Sequence, residues 1–182
     1  MHNGTREVRL GVVLAVVWLA MAPHARAGDT WDACSMLQQA DVEAAFAPRQ
    51  FDAGTPGKPV VPRSPTAAVV SKCTYTSAGA TARDRITVSL LARRAPSDAS
   101  GVTPQAAKAG ALQLKVTPVD VAGLGDGAYT INMGSAAFPV IELNVFRGKR
   151  DWLIFGSGAM KVDPSDALER LKKIAQASTA RL

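Results

Sequence analysis

Apolar and polar residues alternate along several stretches of the chain, a pattern typical of β-strands that bury one face. In the stretch Arg85–Arg93, for example, Ile86, Val88 and Leu90 alternate with Thr87 and Ser89. The same reasoning predicts further strands in four other segments: Ser71–Thr76, Gly127–Met133, Phe138–Arg147 and Asp151–Ser157. The segment Leu114–Val121 is either a short strand or an extended connection.

Three segments are predicted to form helices, the first and last from the helical spacing of their apolar residues and the second from its alanines and few helix breakers. The first is Gly28–Ala47, with Asp32 as a predicted N-cap and a break expected between Gln38 and Asp41. A short helix is expected after Pro104 and is predicted to end near Gly110. The segment Asp163–Leu182 has the clearest signals, since an aspartate precedes a proline at the first helical position.

The order of these elements predicts an α+β fold. Polar turns between consecutive strands favour an antiparallel sheet of about five strands. The N-terminal and C-terminal helices are expected to cover its apolar face, giving two layers. Residues 47–65 contain five prolines and form a predicted Pro-rich loop outside the central sheet.

Residues 1–27 resemble a secretory signal peptide. Arg6 and Arg9 precede an apolar run, Leu10–Ala22, which is shorter than the roughly 18–20 residues that span a bilayer. Small residues precede Gly28, so cleavage is expected after Ala27. We therefore expect a single domain over residues 28–182, periplasmic or secreted and not membrane-spanning after cleavage. No cysteine follows the cleavage point directly, which argues against lipid attachment.

Cleavage changes the chemistry that the chain can perform. Both histidines, His2 and His24, lie in the predicted leader, so the mature domain has none. Ser-His-Asp and Cys-His catalysis, and zinc sites that need imidazole, are then excluded. The net charge falls from +6 to about +4, and aromatic residues are sparse, so no nucleic-acid partner is expected.

The two cysteines, Cys34 and Cys73, are expected to form a disulfide bond. Paired thiols oxidise in the compartments that exported proteins reach. The bond would close a loop of about 40 residues that contains the Pro-rich segment. A redox-active pair would need C-x-x-C spacing, which this sequence lacks.

The stretch Val121–Thr130, "VAGLGDGAYT", is rich in glycine. It lacks the G-x-G-x-x-G spacing of a phosphate-binding loop and leads into a strand rather than a helix. We interpret it as a tight connection in which glycines adopt positive φ and the aspartate bonds local backbone amides. A second hypothesis is that it contacts a ligand or partner, through the residues Gly123, Gly125, Asp126, Gly127 and Tyr129.

No residue is predicted to be catalytic or to bind a metal or cofactor. The three glutamates of the mature domain, Glu43, Glu142 and Glu169, are expected on solvated faces, and no calcium-loop pattern occurs. Trp31 and Trp152 are expected to anchor the core. Basic residues form small groups that are either solvated or, if they converge, attractive to an acidic partner: Arg83 and Arg85, Arg93 and Arg94, and Arg147, Lys149 and Arg150.

Several motifs occur together in one order. They are "DACSMLQQADVEAAF", "KCTYTS", "GLGDGAY" and "ELNVFRGKRDWLIF". This set resembles a family of small secreted or lipid-anchored bacterial envelope proteins of unknown function with the pattern DxCxLL, ADVEAA, CxY and GLGDxAY. The resemblance implies the disulfide between Cys34 and Cys73 and an antiparallel α+β fold similar to the Mog1/PsbP-like sandwich. It supplies no catalytic residues.

These observations predict an exported, non-enzymatic envelope protein that binds a protein partner or a small ligand. Two alternatives stay open. One is a hydrolase that uses two carboxylates, since a pair of acids can act without histidine. The other is an inhibitor or immunity-type accessory protein.

Overall fold

A computed structural model of the chain describes residues 31–58, 60, 64–79, 81, 84–135, 138–158 and 162–182. The predicted signal peptide at residues 1–27, and Arg83 of the first basic group, lie outside these residues.

The described residues form four α-helices and seven strands. In chain order these elements are α1 Ala33–Met36, α2 Gln39–Ala45, β1 Thr55–Pro56, β2 Val69–Thr76, β3 Thr87–Arg94, α3 Pro104–Gln113, β4 Val119–Asp120, β5 Gly127–Asn132, β6 Val140–Arg147, β7 Asp151–Gly158 and α4 Pro164–Thr179. A short 3-10 turn at Asp98–Ser100 precedes α3.

All strands belong to one antiparallel sheet, in the order β1-β2-β3-β7-β6-β5-β4. The α+β class and the antiparallel pairing are confirmed, but the expected number of about five strands is too low. The two additional strands, β1 and β4, lie at the sheet edges and have two residues each, too few for an alternating pattern. Pro56 lies in β1, and an edge is where a strand tolerates proline.

The main core lies between one face of the sheet and the helices α1, α2 and α4. Leu90, Phe155 and Leu143 are neighbours across β3, β7 and β6 and are completely buried. Leu171 and Ile174 of α4 are also completely buried. The predicted covering of the sheet by the N-terminal and C-terminal helices is thus confirmed for this face.

The N-terminal segment forms two short helices rather than one, with the break at Leu37 and Gln38. Asp32 caps α1 and accepts a hydrogen bond from the amide of Cys34. Cys34 is joined to Cys73 in β2 by the predicted disulfide bond, which fastens α1 to the sheet.

The second face of the sheet carries α3, so the expected two-layer arrangement is wrong. A second apolar cluster forms there from Ala107 and Ala111 of α3 with Tyr129, Ile131 and Phe146 of the sheet. The helix continues through Gly110 to Gln113, past its predicted end. The position of α3 leaves a cavity between this helix and the sheet.

Candidate ligand cavity beneath helix α3

The floor of the candidate site is the second face of the sheet. Strand register places Tyr129, Asn144 and Ile154 side by side across β5, β6 and β7. Ile131 and Glu142 form the next pair on the same face. Because side chains on one face of a strand are two residues apart, the sequence "ELN" brings an acid and an amide to this floor.

A cavity of about 560 Å³ lies between this floor and α3 and is lined by residues of both. Its volume falls within the range of roughly 300–1,000 Å³ that is usual for small-molecule sites. Most lining residues are aliphatic, methionine or glycine; the others are Gln113, Tyr129, Glu142 and Trp152. Leu114 and Met133 line the cavity and are largely exposed, so they mark its opening to solvent.

The cavity exists because the lining face of α3 is made of small residues. Ala106, Ala107, Gly110 and Ala111 all line it. A Cβ placed on Gly110 would meet no atom outside its own helix within 4 Å. Side chains this short cannot fill the space between a helix and a sheet, so the second face is less completely packed than the first.

An aromatic row runs along one side of the cavity. The ring centroids of Tyr129 and Phe146 are 6.1 Å apart, and those of Phe146 and Trp152 are 5.5 Å apart, both in stacked orientation. Arg93 lies over the Trp152 ring, with its guanidinium carbon 5.8 Å from the centroid. Trp152 therefore anchors this second cluster, rather than the main core.

A chain of hydrogen bonds connects the polar groups of the floor. The Trp152 indole donates to Oδ1 of Asn144 at 2.8 Å. The Nδ2 group of Asn144 donates to Oε1 of Glu142 at 3.0 Å. Asn144 is fully buried, so these bonds satisfy both ends of an amide that would otherwise be costly to bury.

Tyr129 is one of the residues that line the cavity. The side chain is only 2% exposed, and its hydroxyl makes no hydrogen bond to any described residue. Burial, and then the charge of Glu142, raise the pKa of Tyr129 to about 12. The phenol is consequently protonated at neutral pH and can both donate to and accept from a bound molecule.

Glu142 was expected on a solvated strand face, and the structure corrects this. Its side chain lines the cavity and is half-buried. The expectation failed because α3 covers the face that an isolated strand would expose. Within the described chain, Glu142 forms no ion pair and its second oxygen, Oε2, has no hydrogen-bond partner.

The glycine-rich loop lies apart from this cavity. Gly123 and Gly125 have φ of +80° and +54°, the left-handed region that a turn interpretation requires. A Cβ on Gly125 would collide with the carbonyl oxygen of Phe146. Asp126 accepts from the amide of Gly148 in the β6–β7 turn at 2.6 Å, not from local amides as predicted.

The residues of the hypothetical ligand or partner loop therefore separate into two places. Gly123, Gly125 and Asp126 border a cleft of about 380 Å³ at the C-terminal end of α4. Gly127 begins β5 beneath Pro104, the first residue of α3. Tyr129, two residues further on the same face, lines the α3 cavity. The hypothesis that the loop itself contacts a partner stays a prediction.

Three aspartates are engaged in structural contacts. Asp163 caps α4 and accepts from the Ser165 amide at 2.8 Å. Asp151 binds the Arg94 guanidinium through both oxygens at 2.8 Å, and Asp120 pairs with Lys108 of α3. Glu142 is accordingly the one carboxylate among the described residues that line the cavity.

No described residue of the basic groups lines the cavity. Arg94 lies over the Trp31 ring at 3.9 Å, and Arg150 donates to the Ala95 carbonyl at 2.7 Å. Arg147 donates to the Thr179 carbonyl at the end of α4.

In the described residues, no three His, Cys, Asp or Glu side chains are grouped as a metal site requires. No helix in that part of the chain has the length and apolarity to cross a membrane.

Sequence reasoning missed the cavity and its polar floor. The available signal was in β6, where Glu142 and Asn144 occupy alternate positions that lead to Phe146. Glu142 and Asn144 by themselves indicate a solvated face, whereas the aromatic Phe146 on the same face indicates that part of it is covered. The small residues of α3 provided the complementary signal.

No family model matches the chain, and no curated protein sequence matches it. Among solved structures, the chain is similar to the extracellular domain of PknH from Mycobacterium tuberculosis. The TM-score is 0.48 at 11% sequence identity, over 81% of this chain and 95% of that one. At this level of similarity no property of that domain is assigned to the chain, and the resemblance to envelope proteins stays a prediction.

Proposed function

We propose that the chain is an exported, non-enzymatic binding protein that holds a small, largely apolar ligand in the α3 cavity. The observation that carries this proposal is a cavity of about 560 Å³ with aliphatic walls, lined also by Tyr129, whose hydroxyl has no hydrogen-bond partner among the described residues. Binding sites typically combine apolar walls with a few polar groups that orient the ligand. The cavity has this composition.

The composition of the lining supports binding rather than hydrolysis. The described lining residues include one carboxylate, Glu142, whereas the carboxylate-dependent alternative needs two. They include no serine, cysteine, lysine or histidine to act as a nucleophile or its base.

Export is supported by the disulfide bond between Cys34 and Cys73. Such bonds persist in oxidising compartments and are rare in the cytosol. The predicted leader at residues 1–27 agrees with this location.

A neutral fluorescent probe tests the proposal. N-phenyl-1-naphthylamine should increase in fluorescence when it enters the cavity of the protein recovered after export from an expression host. Gly110→Leu places an aliphatic side chain into the open space before Gly110 and should weaken probe binding at least tenfold. Gly110→Ala is the matched control, because one methyl group leaves most of the cavity open.

Two outcomes would contradict the proposal. Equal probe binding by the Leu and Ala variants would show that the probe binds elsewhere. An absence of probe binding, combined with crosslinking of a protein through the carboxylate of Asp126, would favour the partner-loop hypothesis instead. Circular dichroism melting of both variants checks that each one is folded.

A further inference from the structure

We propose that the ligand carries one cationic amine, which pairs with Glu142 while the apolar body of the ligand lies beneath α3. This inference rests on the proposed function and specifies the chemical class of the ligand. It identifies Glu142 as the residue that determines charge specificity.

The charge of the cavity lining favours a cationic ligand. Glu142 is the one charged residue among the described residues of the lining, and the walls around it are apolar. None of the ion pairs between described residues involves it. A ligand cation would form a charge-assisted hydrogen bond with this carboxylate.

Hydrogen bonds on the cavity floor orient the carboxylate of Glu142. Asn144 donates to Oε1 of Glu142 and is itself held by the Trp152 indole. These bonds position the carboxylate before a ligand arrives and leave Oε2 available as an acceptor. A preorganised acceptor loses little side-chain entropy on binding.

The cavity lining offers an ammonium group more than one hydrogen-bond acceptor. An ammonium group has three N–H donors and needs several acceptors when it leaves water. The Tyr129 hydroxyl lines the same cavity and is unpaired among the described residues, so its oxygen offers a further acceptor beside the carboxylate.

The same arrangement excludes anions. A ligand carboxylate in this cavity would meet Glu142 as a like charge in surroundings of low dielectric constant. Two nearby cations are not among the described lining residues: Lys108 pairs with Asp120, and Arg93 lies over the Trp152 ring. The site should therefore rank ligands of equal length as amine first, alcohol second and carboxylate last.

Displacement of N-phenyl-1-naphthylamine by decylamine, 1-decanol and decanoate at pH 7 tests this ranking, with each compound below its micelle concentration. For the wild-type protein, decylamine should displace the probe at a concentration at least tenfold lower than 1-decanol, and decanoate should be weakest. In Glu142→Gln, the preference for the amine over the alcohol should fall to within about threefold. Glu169→Gln is the control, because Glu169 is exposed on α4 and pairs with Lys172.

The three competing compounds, decylamine, 1-decanol and decanoate, distinguish the two proposals in the wild-type protein alone. Equal displacement by decylamine and 1-decanol in the wild-type protein would overturn the amine inference and leave the proposed cavity intact. If none of the three compounds displaces N-phenyl-1-naphthylamine, both proposals are overturned. Retention of the full amine preference in Glu142→Gln would overturn the assignment to Glu142. Glu142→Asp retains the acid and should keep the amine ahead of the alcohol; loss of that order in Glu142→Asp would also contradict an assignment based on charge.

Discussion

Trp152 donates its indole N–H to the side-chain oxygen of Asn144, 2.8 Å away on the neighbouring strand. Asn144 is completely buried, and its side-chain NH2 group donates a hydrogen bond to Glu142. One amide therefore joins an aromatic wall of the cavity to its acidic floor. Removing this amide should affect both the stability of the sheet and the orientation of the acid.

Replacing Asn144 by leucine should lower the free energy of unfolding by about 1–3 kcal/mol, because the Trp152 N–H loses its acceptor. Urea denaturation measures the change. The double variant Asn144→Leu/Trp152→Phe should lose less than the sum of the two single variants, since it removes both partners. Strict additivity would show that the hydrogen bond contributes nothing.

Gly125→Ala should destabilise the fold more than Gly123→Ala. Both positions have positive φ, which costs a residue with a side chain about 1–2 kcal/mol. At position 125 the new Cβ would also collide with the Phe146 carbonyl, whereas at position 123 it meets open space. We expect a difference of about 1 kcal/mol or more between the two variants in urea denaturation.

Neither glycine variant should change binding of N-phenyl-1-naphthylamine, provided that measurements are made well below the unfolding transition. The loop borders the cleft at α4 and not the α3 cavity. A selective loss of probe binding in Gly123→Ala would show that the loop contributes to the ligand site after all.

Loss of the disulfide should lower the free energy of unfolding by about 4 kcal/mol, because the bond closes a loop with a sequence separation of 39 residues. Thermal unfolding of the oxidised wild type is compared with that of Cys34→Ala/Cys73→Ala. Reduced wild type is the matched control and should resemble the double variant. A double variant as stable as the oxidised protein would contradict the expectation.

Tyr129 should titrate near pH 12 in the folded protein and near 10 when unfolded. Absorbance of the phenolate in a Tyr75→Phe background isolates this residue, because burial also raises the pKa of Tyr75. A raised pKa stabilises the folded state below pH 10, and that contribution is lost as the pH rises from about 10 to about 12. Adding Tyr129→Phe should make the fall in unfolding free energy shallower across this window.

The main elements of the fold were predictable from the chain because each carries a strong local pattern. Asp163 and Pro164 mark the start of α4, and alternation marks β3 and β6. The edge strand β1 was not predicted, and β4 lies in Leu114–Val121, where a short strand and an extended connection were both left open; each has two residues and depends on pairing with a neighbour. Tertiary contacts, not local preference, create them.

The cavity was less predictable, because it forms where α3 packs on one face of the sheet. The alternation of polar and apolar residues in the strands predicts that this face is exposed to solvent. Glu142 in an alternating strand looks exposed until a helix is placed above it. Tyr129 was named from the sequence, but as part of a glycine-rich loop; the alternation of β5 directs it to a different site. Residues adjacent in sequence can thus serve opposite sides of one sheet.

The roof of the cavity is attached to the sheet mainly through Ala107 and Ala111, two of the smallest side chains available. So little buried apolar area implies that α3 opens at a lower free energy than the strands beneath it. Amide hydrogens of α3 should consequently exchange with deuterium earlier than those of β6 and β7. A molecule seated beneath the helix would slow that exchange, so α3 itself would report when the cavity is filled.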